Sequence, residues 1–353
     1  MISRIPVFLT FFAWSLSPLA AEEAAVLTPA EDAGKAAQKA NAPWDSAERQ
    51  AALRVQLFLD KQGFGPGKID GRWGGFSKKA AERWNVAENV IKIPILDSDQ
   101  LDVAKVSVLQ HSEDLITTYQ INAADQALLG TIPKEPEEMA KLKQMNYTSL
   151  IELVAEKFHA DQDFLLEING LAPGSDFKSG EKIKVPNVSV PFEISEPIER
   201  SKEKKGAKVP AEDKDKIVPD MELTVLREQQ VVEVREAGKL IRSFPISPGA
   251  NDNESPAGDW KVSVISWMPE FRWDKSMLED GKRSNDAHLL PPGPNNPVGV
   301  VWIGLSADGI GLHGTASPDE IGRNRSHGCI RLSNWDALNL GKTVSVGTRV
   351  VVK

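Results

Sequence analysis

Residues 195–216 contain the runs Glu199-Arg200-Ser201-Lys202-Glu203-Lys204-Lys205 and Glu212-Asp213-Lys214-Asp215-Lys216, with almost no large apolar side chain among them. Such a stretch has too little apolar surface to offset the entropy of ordering it. A chain of 353 residues is also longer than one ordinary hydrophobic core supports. Together these facts require more than one folded unit, with a linker over residues 189–217. The two sides of that linker differ in character. On the C-terminal side, apolar and polar residues alternate in Glu222-Leu223-Thr224-Val225-Leu226 and again in Val231-Val232-Glu233-Val234. Ala237-Gly238 then offers a hairpin turn and Leu240-Ile241-Arg242-Ser243-Phe244 a return strand. Further strands are expected at residues 260–266, 300–305 and 348–352. A helix follows Ser333, where Ser333-Asn334-Trp335-Asp336 has a capping-box arrangement leading into Leu338 and Leu340. Residues 218–353 therefore read as a mostly antiparallel β domain with one main helix.

The N-terminal side is helical and modular. Residues 1–21 have one basic residue, Arg4, an apolar stretch from Ile5 to Leu16 and small residues at Ala20 and Ala21, which is a signal-peptide layout. An uncleaved anchor is the alternative, and either way the body is exported. Residues 22–43 are rich in Ala, Glu and Lys without apolar periodicity and read as a flexible spacer. In residues 44–90, Asp45 stands as an N-cap and Leu53, Leu57 and Phe58 follow at helical spacing. Gly63 and Gly65 end that helix, a turn-rich Gly65-Pro66-Gly67-Lys68-Ile69-Asp70-Gly71 comes next, and a second helix runs from Ser77 through Ala81 to Trp84. This order resembles the small helical peptidoglycan-binding domain, with a plain helical hairpin as the alternative. Residues 91–145 carry no legible motif and stand as an unassigned connector. Residues 146–188 open on Tyr147-Thr148-Ser149 as a strand. A helix through Leu150, Leu153, Val154 and Phe158 follows, then one through Phe164, Leu165 and Ile168, and a strand from Lys182 to Val185. With Asn169-Gly170-Leu171 after the second helix, this βααβ order resembles a LysM domain, which implies binding to glycan strands.

Charge removes one class of partner. The formal net charge is −8, with both signs interspersed, so the basic footprint of a nucleic-acid binder is missing. The single cysteine, Cys329, leaves no intramolecular disulfide open to an exported chain. That thiol is an inert buried group, an intermolecular bridge or a reactive one.

Its neighbours separate these options. His313-Gly314-Thr315 and Ser326-His327-Gly328-Cys329-Ile330-Arg331 bring two histidines and the thiol into one stretch. A thiol is a useful nucleophile only as thiolate, and a nearby imidazole can take its proton and later return it to a leaving amine. Either histidine could serve. Gly328 lets the backbone approach closely, and its N–H with that of Cys329 could face an oxyanion. A zinc site of His313, His327 and Cys329 is the competing arrangement, short of an evident fourth ligand.

At these residues the chain resembles the catalytic domain of the L,D-transpeptidases, the YkuD type, and in particular its ErfK-like branch. The hallmark is His-Gly followed by Ser-His-Gly-Cys. Ser255-Pro256-Ala257-Gly258, the proline-rich run from Leu290 to Gly299, and Val346-Gly347-Thr348-Arg349-Val350 agree as well. The resemblance implies a multidomain protein whose mostly-β catalytic domain is β-sandwich-like with one main helix, preceded by the βααβ LysM domain and the small helical domain. It further implies that Cys329 attacks the third-position carbonyl of a peptidoglycan tetrapeptide stem and releases D-alanine, leaving a thioester. His313 is then the base, oriented by Gly314. Ser326, His327 and Gly328 support the oxyanion pocket, and Arg331 orients the site or forms a structural salt bridge. No cofactor or metal is implied. The partners are peptidoglycan and an acceptor amine, on a second stem or on an envelope protein, in the periplasm or cell envelope, and carbapenems are expected to acylate the thiol. An L,D-carboxypeptidase and a non-catalytic wall-binding protein are the alternatives. His111 and His159 are expected as surface or partly buried side chains, and His288 is a candidate for lining the cleft.

Overall fold

The computed structural model describes residues 42–87, 91–109, 114–203, 221–249, 257–276, 282–307, 309–323 and 329–353. The expected signal peptide and spacer, residues 1–21 and 22–43, lie outside the described residues but for the last two. No helix among the described residues is long and apolar enough to cross a membrane.

Helix α1, Ala47–Gln62, starts one residue later than Asp45 would set it, because Ser46 accepts the Arg49 N–H and makes the N-cap. Gly63 ends it at φ 77°, a conformation that only glycine adopts cheaply. Helix α2, Gly75–Ala87, packs Trp84 edge-on to Phe58 and Phe64, with centroids 5.1 and 5.4 Å away. Between the helices, Gln56 reaches into the turn: its amide donates to Asp70 Oδ1 at 2.8 Å and its carbonyl oxygen accepts from Gly71 N at 2.8 Å. Ile69 is fully buried, and its backbone pairs with His159 and Asp161 of the next unit. The Ile-Asp-Gly turn is therefore a docking element.

The βααβ unit closes differently from expectation. Its first strand is not Tyr147–Ser149 but β1, Ile116–Gln120, which pairs antiparallel with β2, Lys182–Pro186. Tyr147 makes only an isolated bridge to Leu129, and Ser149 caps the next helix. Two short helices, α3 (Ala123–Ala127) and α4 (Pro136–Met139), separate β1 from the main pair, α5 (Leu150–Lys157) and α6 (Gln162–Asn169). The residues left as a connector thus supply a strand, and a short 3₁₀ helix at Val103–Val108 also packs on α1.

The expected linker is ordered at its start. Helix α7 spans Ser195–Glu203, and Phe192, Ile194 and Ile198 pack into the C-terminal core. Its charges are placed: Glu196 pairs with Lys342 at 3.0 Å, and Arg200 lies 5.0 Å over the Trp267 ring. Residues 204–220 lie outside the described residues.

The C-terminal strands are β3 (Met221–Leu226), β4 (Val231–Glu236), β5 (Lys239–Pro245), β6 (Gly258–Trp267), β9 (Val301–Leu305), β10 (Gly311–His313), β11 (Ile330–Arg331) and β12 (Arg349–Val352). They form one sheet of eight in the order β11-β10-β9-β6-β12-β3-β4-β5. The β-sandwich-like domain is thus built from a single curled sheet. Strand β6 makes the curl, since Gly258–Lys261 pair with β12, Val262–Trp267 pair with β9, and the register slips between Val262 and Val264. Both halves and helix α8, Asn334–Thr343, share one core containing Val225, Val234, Phe244, Ile303, Leu312, Ile330 and Trp335. A separate hairpin pairs β7, Phe271–Asp274, with β8, Ala287–Leu290.

Candidate active site

The site is built on the short strands at the β11 edge of the sheet. Strand β10 runs parallel to β11 with Leu312 opposite Ile330 and His313 opposite Arg331. Leu312 and Ile330 are fully buried in the core, so the strand period of two sends His313 and Arg331 to the other face. Cys329 directly precedes β11. The thiol and His313 therefore come from neighbouring segments, Cys329 at the entry to β11 and His313 on the adjacent β10. Cys329 is half-buried, and its Sγ lies 3.6 Å from the Gly309 carbonyl oxygen.

His313 is 4% exposed and stacks on Trp302, its cross-strand partner on β9, with ring centroids 5.5 Å apart at 19°. Its Nδ1 is 2.5 Å from the Gly314 carbonyl oxygen. A carbonyl only accepts, so Nδ1 carries the proton and Nε2 keeps its lone pair. Burial pushes the imidazole down to about 4; the Gly314 carbonyl opposes this and the Arg331 charge adds to it. At neutral pH the ring is an uncharged base.

Gly314 is held by a residue that sequence reasoning treated only as part of a helix start. Asn334 is fully buried at the first turn of α8, and its Oδ1 accepts the Val300 N–H at 3.2 Å. A Cβ on Gly314 would sit 2.2 Å from that Oδ1, so nothing larger than glycine fits. The sequence signal was available only in Asn334 itself, a polar residue at the N-terminal turn of a helix. What it contacts is set by the fold.

A second support pins β11. Ser247 and Arg331 exchange backbone hydrogen bonds of 2.9 Å in both directions. The Ser247 hydroxyl accepts from Gly322 N at 2.7 Å and donates to the Glu320 carbonyl at 3.2 Å. Arg331 also pairs with Glu320 at 3.4 Å, the structural salt bridge of its two sequence readings. Ser326, His327 and Gly328 lie outside the described residues, as do His111, Ser255 and Pro256. Gly258, by contrast, begins β6.

The proline-rich run from Leu290 to Gly299 is a docking loop. Met145 donates its N–H to Pro292 O at 2.9 Å, and Asn295 Nδ2 donates to Asn146 O and Glu152 Oε1 at 2.8 and 2.7 Å. A Cβ on Gly293, at φ 153°, would sit 2.2 Å from Met145 O. His288 lies on the separate hairpin, across from Trp273, with centroids 6.1 Å apart. His159 is buried more deeply than its sequence reading allows. It is 3% exposed, bonds Asp60 through Nδ1 at 2.9 Å and stacks on Trp335 at 5.3 Å and 11°. Among the described residues no three His, Cys, Asp or Glu side chains gather as a metal would require.

Residues 222–352 match the family model of the L,D-transpeptidase catalytic domain, YkuD. The putative L,D-transpeptidase YqjB of Bacillus subtilis is 33% identical over 114 residues, which is 31% of this chain and 57% of that protein. The probable L,D-transpeptidase ErfK/SrfK of Salmonella typhimurium is 33% identical over 152 residues, 38% of this chain and 46% of that protein. The chain thus spans about half the length of these curated relatives. Among solved structures, L,D-transpeptidase 3 from Mycobacterium tuberculosis with a faropenem-derived adduct is similar at 21% identity and a TM-score of 0.31, over 38% of this chain and 60% of that one. The family match gives residues 222–352 the L,D-transpeptidase catalytic fold.

Proposed function

We propose that this protein is an exported L,D-transpeptidase that acts on peptidoglycan stem peptides through Cys329. The observation that carries the reading is the state of His313. Its Nδ1 proton is committed to the Gly314 carbonyl, so Nε2 is an unprotonated base on the strand next to the one that Cys329 enters.

In this mechanism Nε2 takes the Sγ proton as the sulfur attacks the third-position carbonyl carbon of a tetrapeptide stem. The N–H groups of Gly328 and Cys329 face the oxyanion, with Ser326 and His327 in support. As the tetrahedral intermediate collapses, the C–N bond to D-alanine breaks and the imidazolium returns its proton to the leaving amine. A second amine then attacks the thioester, gives a proton to His313 and forms the new amide, and the thiol is restored. The acceptor is a stem amine, giving a 3-3 cross-link, or the lysine of an envelope protein. Export follows from the layout of residues 1–21, and the βααβ unit, read as LysM, would hold glycan strands near the site.

Purified disaccharide-tetrapeptide incubated with the protein and followed by mass spectrometry tests the whole reading. Cross-linked dimer with loss of D-alanine is the expected product. Tripeptide alone would make the enzyme an L,D-carboxypeptidase, and unchanged substrate would leave the wall-binding reading.

A further inference from the structure

We propose that Glu156, a residue of the βααβ unit, is a positioning residue for the base of the C-terminal domain, acting on His313 through Asn334 and Gly314. The inference rests on His313 being the base of the reaction proposed above.

The chain of contacts is short and dry. Glu156 lies on α5 at 6% exposure, and its two carboxylate oxygens have separate partners. Oε1 accepts the Tyr147 hydroxyl at 2.7 Å, and Oε2 accepts Asn334 Nδ2 at 2.9 Å. The same Nδ2 also donates to Pro294 O at 3.2 Å. With both amide hydrogens engaged, the Asn334 side chain cannot rotate, and its Oδ1 stays fixed against Val300 N and the Cα of Gly314. Gly314 N in turn donates to Val301 O at 3.2 Å, and its carbonyl takes the His313 Nδ1 proton. Glu156 thus fixes the orientation of an amide, the amide fixes a peptide plane, and the plane fixes the tautomer of the base. Buried polar groups are costly unless partnered, and here the Oε2 branch leads through Asn334 toward the site while Tyr147 holds Oε1. Removing the acceptor leaves Asn334 Nδ2 with Pro294 O alone and lets the side chain turn.

Glutamine and methionine are near-isosteric replacements that separate hydrogen bonding from shape. In E156Q the amide oxygen still faces Asn334, while the NH₂ donates to a Tyr147 hydroxyl that can turn to accept. In E156M neither contact survives. Two readouts are taken on the full chain: steady-state D-alanine release from disaccharide-tetrapeptide, and the ¹⁵N shifts and titration of the His313 imidazole. A displaced catalytic group costs about 10–100-fold in rate. The expected result is that E156M lowers kcat by about that factor with KM within about threefold, mixes the two His313 tautomers and moves its titration upward. E156Q is expected to keep kcat within about threefold and to leave the His313 spectrum unchanged.

A His313 tautomer and titration identical in E156M and the unmodified protein would overturn the proposal, whatever the activity. Should E156M not fold, Asn334→Ala cuts the same chain at its middle link and puts a good helix former at the start of α8. The same spectral criterion then applies to it. If the unmodified protein releases no D-alanine, the functional reading fails while the spectra still decide the positioning role.

Discussion

Two buried histidines, one at the site and one at the junction between units, share nearly every local feature and titrate in opposite directions. His313 and His159 are 4% and 3% exposed, and each stacks on a tryptophan at 5.5 and 5.3 Å. His159 faces Asp60 at 2.9 Å, with Asp336 and Glu156 nearby. Burial works against its charge, yet these carboxylates outweigh it and raise the imidazole above its ordinary value. His313 meets a backbone carbonyl and the Arg331 guanidinium instead, so burial prevails and the ring stays neutral. The lesson is that burial sets how strongly partners matter, and the sign of the nearest charge decides which way a buried imidazole shifts.

Substitution tests this contrast directly. Cys329→Ala should reduce D-alanine release to background without moving the thermal midpoint by more than a degree or two, since a half-buried thiol contributes little packing. Retained release would remove the nucleophile from the scheme altogether. His313→Gln should lower kcat by about 10²–10⁴-fold, the usual worth of a general base. His159→Gln should instead keep kcat within a few-fold and cost on the order of 1–3 kcal/mol of stability by weakening its pairing with Asp60. If His159→Gln cost more activity than His313→Gln, the two roles would have to be exchanged.

The pH profile of acylation is a finer probe. Because His313 is held at about 4, its base form persists well below the ordinary histidine range. The acid limb of kcat/KM for D-alanine release should therefore fall near pH 4 to 5. An acid limb at about 6.5 would mean that the working imidazole is an unperturbed one, and His327 would be the first to replace.

The strands and helices that follow local rules were legible in the sequence, and those whose partners lie far along the chain were not. Alternation located β3, β4 and β5, and Ser333 marked the start of α8, where its hydroxyl accepts the Asp336 N–H at 3.2 Å. Strand β1 has the β-branched run Ile116-Thr117-Thr118, but an insertion separates it from α5 and hides its partnership with β2. Helix α7 was hidden by its charges, although Ile194 and Ile198 stand four apart and face the core. His159 looked incidental because Asp60 lies 99 residues away, and Asn334 because Glu156 lies 178 residues away. At the site, residue types at Cys329 and His313 drew attention to one thiol and two imidazoles. The choice between the imidazoles came from resemblance, and the Gly314 contact gives His313 its chemical form.

The smallest effect expected is on stability against pH, where junction and site pull in opposite directions. Burial raises the Glu156 and Asp336 carboxyls to about 7 from ordinary values of 4.5 and 3.8. A carboxyl raised on folding binds its proton more tightly in the folded state, so its contribution is complete below the ordinary value and is lost as pH climbs to about 7. His159, also raised, contributes below about 6.5 and loses that contribution above it. His313, lowered to about 4, has the reverse slope and loses stability as pH falls from 6.5 to 4. Between pH 4.5 and 6.5 two carboxyls oppose one imidazole, and above 6.5 only the junction groups titrate. The unfolding free energy should therefore decline from about pH 5 toward pH 8, by an amount on the order of a few kcal/mol or less. Asp336→Asn keeps the Ser333 contact but removes one proton from this linkage, so it should flatten the decline between pH 5 and 7. An unaltered slope in that variant would place the pH dependence at groups outside the junction and leave His159 and His313 less different than their surroundings imply.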